Sequence, residues 1–335
     1  MIWTADAGNQ LRERLPLFSS ESVGSGSSGL EGGDQELESL LAEYLSYYRL
    51  DLGAEYPGVV HRIGRVESAG FQVAVQSWRR PGARRNLLLV HGYFDHVGIY
   101  GHLLRFGLSH DYNVISFDLP GHGLSSGERA SIEDFAQYQI VLQDILEAMP
   151  DSSEPLDVIA QSTGGAIIMD ALLGGSGGRF DRIVLLAPLV RPTEWFLIRL
   201  AHTLLGPFTD SVPRRFAHNS GDLDFLAFLR QDPLQPDRIP LRWISALRRW
   251  VPAFLARDPS AHPLLAIQGD NDGTVDGPWN LQQIERLFPA SRQLILPEGR
   301  HHLANESSDL RGQYLWWMTS YLDRDTATGQ EGVLH

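Results

Sequence analysis

Ser162 lies at the junction of an apolar strand and an apolar helix, where a hydrolase would hold a nucleophile. The β-branched run before Gln161 favours a buried parallel strand, and Gly164 and Gly165 allow a sharp reversal into the helix that follows. The pattern is Gly-x-Ser-x-Gly, with Ala160 in place of the first glycine. A serine that only caps the helix would give the same local pattern, so the rest of the chain has to decide.

A serine hydroxyl is a poor nucleophile until a base removes its proton, so the hypothesis requires a histidine and an acid that orients it. Candidates for both follow predicted strands in the second half of the chain. For the acid we favour Asp272 over Asp270, which is placed to close a turn, and Asp276 is a third candidate. For the base we favour His301 over the adjacent His302. The alternative interpretation is that these are ordinary turn aspartates and a surface histidine pair.

Two backbone amides are candidates to stabilise a negatively charged oxygen on the substrate. The amide of Thr163 lies at the start of a helix, where the positive end of the helix dipole adds to its effect. The predicted strand 86–91 runs into Gly92, and in an α/β-hydrolase arrangement the following loop contributes a second amide, here that of Tyr93. His91 could be interpreted as a base, but its position at the end of a buried strand favours bracing of the loop by hydrogen bonds.

The elements that must position these residues alternate between strands and helices along the chain. Strands are predicted at 59–66, 71–78, 86–91, 113–117, the apolar run before Gln161, 182–186, 263–268 and 292–296. Helices are predicted at 37–50, 99–109, 132–149, 165–173, 279–288 and 309–322. This order predicts an α/β fold with a mostly parallel, doubly wound sheet.

Four segments carry motifs that occur together in one known family. They are His91-Gly92-Tyr93-Phe94-Asp95-His96 with Tyr100, Phe117-Asp118-Leu119-Pro120-Gly121-His122-Gly123-Leu124-Ser125, Gln161-Ser162-Thr163-Gly164-Gly165, and His301 with Asn305-Glu306. Together they resemble the monoglyceride lipase and lysophospholipase branch of the serine α/β-hydrolases, over residues 59–322. The resemblance implies that Asp118 is structural and organises the turn after it, although a strand-end aspartate alone could be taken for the catalytic acid.

The same resemblance implies an α/β-hydrolase fold with an inserted helical lid, and it implies a role for each candidate site residue. Ser162 would be the nucleophile, Asp272 the acid and His301 the base. The amides of Tyr93 and Thr163 would form the oxyanion hole.

Residues 189–258 lie between two predicted core strands and are too long for a simple connection, so we expect them to form the lid. The segment 195–205 is apolar except for one face, which carries Arg199, His202 and Thr203. A second apolar helical stripe consists of Trp243, Leu247, Trp250 and Phe254. We expect these apolar faces to pack on the sheet domain and on each other. The alternative is an acyl-chain tunnel or a cap that contacts a membrane.

Composition indicates a soluble enzyme and excludes several other classes. The net charge of −13 argues against nucleic-acid binding, and no apolar run is long enough to cross a bilayer. The absence of cysteine excludes disulfides and thiolate chemistry. No secretory signal is evident, so a cytoplasmic location is predicted. His96, His102, His110 and His122 have no metal-ligand spacing, and no nucleotide-binding pattern follows a strand, so neither a metal nor a cofactor is expected.

The chain divides into five predicted parts. A flexible segment and linker over 1–34 includes a Ser/Gly tract at 19–34, and a flexible tail is predicted over 324–335. The hydrolase core would comprise 35–188 and 259–323, on either side of the lid at 189–258. A basic loop at 78–85 is expected to be a solvated strand connection, with an anionic headgroup site as the alternative.

These observations predict a serine carboxylic-ester hydrolase that acts on a single-chain lipid ester, a monoacylglycerol or a lysophospholipid, through an acyl-enzyme on Ser162. A prolyl-type aminopeptidase or a thioesterase would use the same machinery, and Glu194, Asp222 or Asp224 could then hold a substrate amine. A non-catalytic binding protein of the same fold would not need all three candidate triad residues. The sequence leaves the oligomeric state open and allows peripheral membrane contact by the lid.

Overall fold

A central sheet with helices on both faces forms the core of the computed structural model, which describes residues 3–18, 34–149 and 156–323. The strands of this sheet are Val60–Ser68 (β1), Phe71–Arg79 (β2), Arg85–Val90 (β3), Tyr112–Phe117 (β4), Leu156–Gln161 (β5), Phe180–Leu186 (β6), Leu265–Gly269 (β9) and Arg292–Leu296 (β10). A separate two-stranded sheet pairs Ser211–Pro213 (β7) with Arg238–Pro240 (β8).

The helices are Ala5–Arg14 (α1), Gln35–Tyr47 (α2), Gly101–Ser109 (α3), Ala136–Ala148 (α4), Thr163–Leu173 (α5), Trp195–Leu205 (α6), Leu223–Leu229 (α7), Leu241–Leu255 (α8), Gly277–Leu287 (α9) and Ser308–Leu322 (α10). Single 3-10 turns occur at Val97–Ile99 and Leu303–Asn305. Within the part of the chain that the structure describes, no helix combines the length and the apolar character needed to cross a bilayer.

The strand order in the large sheet is β1-β2-β4-β3-β5-β6-β9-β10. Every neighbouring pair from β4 to β10 is parallel, whereas β2 is antiparallel to both β1 and β4. The prediction of a mostly parallel α/β-hydrolase sheet is therefore confirmed. Because parallel strands end at the same edge, the loops after β3, β5, β9 and β10 come together there.

The central strand β3 is buried on both faces, as its uninterrupted apolar run predicts. Leu88 and Val90 belong to the apolar cluster on one face of the sheet, and Leu87 and Leu89 belong to the cluster on the other. All four side chains are fully buried. This burial anchors β3 and so fixes the position of the loop that follows it, which is one of the loops around the site.

The prediction of a flexible segment over 1–34 is wrong for residues 3–18. They include α1, which packs against α2, and Trp3, Leu11 and Leu15 of this segment are buried in one of the two core clusters. The sequence interpretation missed this because the helix is short and mostly polar, so its few apolar side chains show no strong periodicity.

The predicted Ser/Gly linker lies outside the described residues, apart from its last residue, and so does the predicted tail. That last residue, Asp34, is the N-cap of α2, where its carboxylate accepts hydrogen bonds from the amides of Glu36 and Leu37.

The lid segment contains α6, α7, α8 and the small β7–β8 sheet. The expected packing of apolar faces is confirmed for α8, because Trp243, Leu247, Trp250 and Phe254 are all buried in the core. For α6 the expectation holds only in part, because no residue of this helix is fully buried but Trp195 and Ile198 are partly buried and pack against the same core cluster.

Helix α6 turns its polar face toward α8 instead. His202 lies within hydrogen-bonding distance of Ser245 and Arg248, and Arg248 also donates to the Thr203 hydroxyl. The other apolar side chains of this helix therefore point outward. We call Phe196, Leu197, Leu200, Leu204, Leu205 and Phe208 the outer lid face, and all are exposed.

Candidate active site

The backbone at Ser162 adopts a strained turn between β5 and α5. Its φ of 52° and ψ of −114° lie in a region that non-glycine residues rarely occupy. A Cβ added to Gly164 would lie 2.4 Å from the carbonyl oxygen of Val90, so the helix can approach β3 this closely only with glycine there. This strand-turn-helix geometry is that of a nucleophile elbow, which lifts the serine out of the sheet edge.

The structure brings the three predicted triad residues together from three different loops. His301 Nε2 lies 3.0 Å from Ser162 Oγ, and His301 Nδ1 lies 2.9 Å from Asp272 Oδ2. In the tautomer with the proton on Nδ1, the imidazole donates to Asp272 and accepts from the serine hydroxyl. This arrangement lets the imidazole remove a proton from the serine and lets the carboxylate stabilise the imidazolium that forms.

Asp272 is held as an ionised acceptor. Its Oδ1 accepts from the amides of Thr274 and Val275, and its Oδ2 also accepts from Gln268 Nε2. Burial opposes the charge, but His301 and these donors outweigh it and lower the pKa of Asp272 below its usual value.

Burial raises the pKa of a carboxyl group but lowers that of an imidazole, because it disfavours the positive charge of the protonated ring. At His301 this effect is outweighed by the adjacent carboxylate of Asp272, and the net result raises the pKa of His301 above its ordinary 6.5.

The rejected candidates have other partners. Asp270 accepts a hydrogen bond from the amide of Glu298, and Asp276 forms an ion pair with Arg191. His302 Nε2 lies 3.0 Å from an oxygen of Asp95 rather than near the serine.

The segments that carry the two predicted oxyanion amides lie next to the serine. A Cβ added to Gly92 would lie 3.2 Å from Ser162 Cβ, so the loop that carries the Tyr93 amide runs directly beside the nucleophile. Thr163 is the first residue of α5, where its amide has no intrahelical acceptor. The ring of Tyr93 stacks on Trp243 of α8 at 3.8 Å between centroids, and its hydroxyl donates to the carbonyl of Ala130. Through this stacking contact, helix α8 of the lid holds the oxyanion loop in place.

His91 braces this loop, as predicted. Its Nε2 accepts from the amide of Leu119, so its Nδ1 must carry the proton that is donated to the carbonyl of Gly92. Burial lowers the pKa of His91, which keeps the ring neutral. It is therefore positioned by both nitrogens and has no free site with which to act as the base.

A second set of buried contacts around the oxyanion loop was missed from the sequence. Tyr100 Oη accepts from the amide of Gly92 and donates to Asp95, whose other oxygen contacts His302. The residue beside the candidate base is therefore linked to the loop beside the nucleophile. In the sequence, these contacts were indicated only by the motif that contains Asp95 and Tyr100. A motif does not show which residues its side chains contact.

Asp118 is structural, as the resemblance implies. Its two oxygens accept from the amides of Val97 and Leu124. Gly123 has a φ of 47°, and a Cβ there would lie 2.3 Å from the Asp118 carboxylate, so the turn closes tightly around this side chain.

Glu306 joins the histidine loop to the lid. Its carboxylate accepts from the amides of Arg300, Gly221 and Ser307. Because Gly221 belongs to the lid and Arg300 precedes the candidate base, this one buried side chain fixes the two segments relative to each other.

The basic loop at 78–85 is tied to acidic partners and lies at the opposite edge of the sheet. Arg80 pairs with Asp111, and Arg85, the first residue of β3, pairs with Asp157 and Asp181. The strand-connection interpretation is supported for these arginines. Among the described residues, no group of three acidic or histidine side chains is arranged to hold a metal ion.

The parallel sheet, the strained elbow and the converging loops define an α/β-hydrolase. The model of the family described as "Serine aminopeptidase, S33" matches residues 81–308, and the chain belongs to this family. It is a serine hydrolase by fold and family.

Named relatives agree with this assignment. The chain is similar to the monoglyceride lipase of Mus musculus, with 30% identity over 80% of this chain and 92% of the relative. The monoacylglycerol lipase of Mycolicibacterium smegmatis is 25% identical over 70% of this chain and 86% of the relative. A solved structure of a soluble variant of Saccharomyces cerevisiae monoglyceride lipase superposes with a TM-score of 0.67 at 20% identity, covering 80% of this chain and 97% of that one.

Proposed function

We propose that this protein hydrolyses a single-chain lipid ester through an acyl-enzyme on Ser162, with His301 as general base and Asp272 as the acid that orients it. The observation that carries the proposal is the hydrogen-bonded chain from Asp272 through His301 to Ser162 at the tip of a strained elbow. The monoglyceride lipase relatives support an ester of this class as the substrate.

In the first half of the reaction, His301 Nε2 takes the proton of the Ser162 hydroxyl as the oxygen attacks the ester carbonyl. The carbonyl oxygen becomes negative and is stabilised by the amides of Tyr93 and Thr163. The carbon–oxygen bond to the alcohol then breaks, and the alcohol leaves with the proton held by His301.

In the second half, water enters where the alcohol left and gives a proton to His301 as it attacks the acyl-enzyme. The bond to Ser162 breaks, the serine recovers its proton from the imidazolium, and the fatty acid is released. Asp272 stays ionised throughout and stabilises the imidazolium twice per cycle.

The exposed apolar side chains of the outer lid face favour the proposal of an amphiphilic substrate. A helix whose apolar side points to solvent is stabilised when it contacts lipid, and its exposed phenylalanines and leucines would lie at a membrane or micelle surface. We propose that the lid makes this peripheral contact.

The substrate class can be tested with p-nitrophenyl acetate and p-nitrophenyl decanoate. Burial of an acyl chain contributes about 25 cal/mol per Å², so the decanoate should have the higher kcat/KM. Equal or better turnover of acetate would remove the lipid assignment and leave the esterase assignment intact.

The aminopeptidase alternative can be tested in the same panel with aminoacyl arylamides. It would need a free acidic group in the lid, but Asp222 is already the N-cap of α7 and lies 3.7 Å from Arg311. Glu194 and Asp224 are exposed and stay candidates for that group, so it is the monoglyceride lipase relatives that favour ester hydrolysis.

A further inference from the structure

Arg214 of the lid lies against the loop that carries the oxyanion amide. It follows β7, and its guanidinium carbon is 4.0 Å from the centroid of the Phe94 ring and 4.5 Å from that of Phe216. One nitrogen, Nη1, donates to Gln235 Oε1 and to the carbonyl of Pro236. Two aromatic rings and two oxygens therefore hold the side chain in one position.

Phe94, on which this guanidinium stacks, belongs to the loop that carries the proposed oxyanion amide. Phe94 directly follows Tyr93, and Gly92 packs against the Cβ of Ser162. The guanidinium thus lies beside the oxyanion loop. It contacts this loop at Phe94, two residues after Gly92, where the loop passes the nucleophile.

The positive charge of Arg214 has no ionic partner in the described part of the chain. The carboxylates of Asp95 and Asp232 stabilise its charge from a distance. Asp95 already contacts His302, and Asp232 already contacts His96. Burial lowers the pKa of Arg214 from 12.5 to about 10, which leaves it protonated at neutral pH.

Several other partly buried arginines in this protein differ in this respect, although Arg129 and Arg300 also donate to backbone carbonyls and form no ion pair in the described part of the chain. Arg85, Arg105 and Arg191 each form an ion pair with at least one carboxylate. A buried cation is normally paired, because its desolvation has to be offset by an opposite charge. At Arg214 the opposite charge is missing from the described protein, and Nε and Nη2 still have protons to donate.

We propose that Arg214 binds the headgroup phosphate of a lysophospholipid substrate, so that the enzyme prefers a phosphodiester-bearing monoacyl ester to a neutral monoacylglycerol. This inference rests on the proposed function and specifies its substrate. In a lysophospholipid the glycerol backbone separates the ester carbonyl from the phosphate, which suits a cation beside the oxyanion loop rather than within it. The planar fork of a guanidinium binds phosphate oxygens through two parallel hydrogen bonds.

The test compares two substrates with the same octanoyl ester, 1-octanoyl-lysophosphatidylglycerol and 1-octanoylglycerol, at concentrations where both are monomeric. The variants are Arg214→Gln, which keeps a hydrogen-bond donor but removes the charge, and Arg215→Gln. Arg215 is the adjacent, exposed arginine and gives a matched loss of one charge.

We expect Arg214→Gln to lower the kcat/KM ratio of phosphodiester to neutral substrate by about 10–100-fold, mainly through KM, because a charge-assisted hydrogen bond to a bound group is lost. Arg215→Gln should leave the ratio within about twofold, and Arg214→Lys should restore part of it. An equal loss on both substrates, or an unchanged ratio, would overturn the inference.

A second measurement does not depend on turnover. Glycerol 3-phosphate should slow fluorophosphonate labelling of the wild type and of Arg215→Gln but not of Arg214→Gln, and equal protection of all three would contradict the inference. The proposed function fails separately, if the wild type neither reacts with the fluorophosphonate nor hydrolyses either ester. Hydrolysis of 1-octanoylglycerol with no preference for the phosphodiester would leave that function standing and refute the role of Arg214.

Discussion

His301 and His302 are adjacent in the chain, yet they contact different carboxylates on different sides of the site. His301 bonds Asp272 and reaches the nucleophile, whereas His302 bonds Asp95, which belongs to the oxyanion loop. One short segment therefore supplies the candidate base and a brace for the candidate oxyanion hole. The two histidines should have separable effects on catalysis.

Substitution of His301 by alanine should lower kcat for an ester substrate by about 10⁶-fold, because no base remains to activate Ser162. His302→Ala should cost about 10–100-fold, since it acts only through the position of the Tyr93 amide. Steady-state kinetics on p-nitrophenyl decanoate measures both. A loss for His302→Ala as large as that for His301→Ala would contradict the assignment of the base.

The three loop aspartates should differ in the same way. Asp272→Asn should lower kcat by about 10⁴-fold, because the asparagine cannot stabilise the imidazolium and favours the wrong tautomer. Asp276→Asn, which removes an ion pair with Arg191, and Asp270→Asn, which removes one turn contact, serve as controls with much smaller effects. Comparable losses at Asp270 or Asp276 would show that the acid is misassigned.

The pH dependence of kcat/KM should reflect the raised pKa of His301. The base works only when neutral, so activity should fall as the pH drops through a value above 6.5. In Asp272→Asn the carboxylate no longer supports the charge while burial still opposes it, so the acidic limb should move to lower pH. An acidic limb that does not respond to Asp272→Asn would contradict the pairing.

The outer lid face should matter for substrate presented in a bilayer. Phe196→Ser with Phe208→Ser removes both aromatic rings of this face, and each phenylalanine buried in lipid contributes about 1.5–3 kcal/mol. The ratio of turnover on vesicles to turnover on a monomeric octanoyl ester should fall at least about tenfold. Trp316→Ser, which removes an exposed aromatic side chain from α10, is the matched control. An equal fall in the control would refute a specific lid contact.

Much of the fold could be predicted because local pattern and final position agree. The apolar runs that predict β3, β5 and β10 are the strands that the structure contains, with ends that differ by a residue or two. The site residues then follow from where those strands end, since parallel strands deliver their loops to one edge. The small-x-Ser-x-Gly pattern located the elbow in this way.

The features that the sequence did not reveal depend on contacts between distant segments. Asp95 and His302 are more than two hundred residues apart, and no local pattern pairs them. The orientation of α6 depends on its partners in α8, because the periodicity of a helix shows that it has two faces but not which face is buried. Arg214 lies in a lid segment without regular periodicity, so its position against Phe94 could be seen only in three dimensions. The cytoplasmic location stays a prediction.

The central claim is that Ser162 is the nucleophile, and covalent labelling tests it most directly. The wild type should react with a fluorophosphonate at one site, and peptide mapping should place the adduct on Ser162. Ser162→Ala should retain the circular dichroism spectrum of the wild type and take up no label. Undiminished labelling of Ser162→Ala, or a folded wild type that takes up no label, would contradict the account.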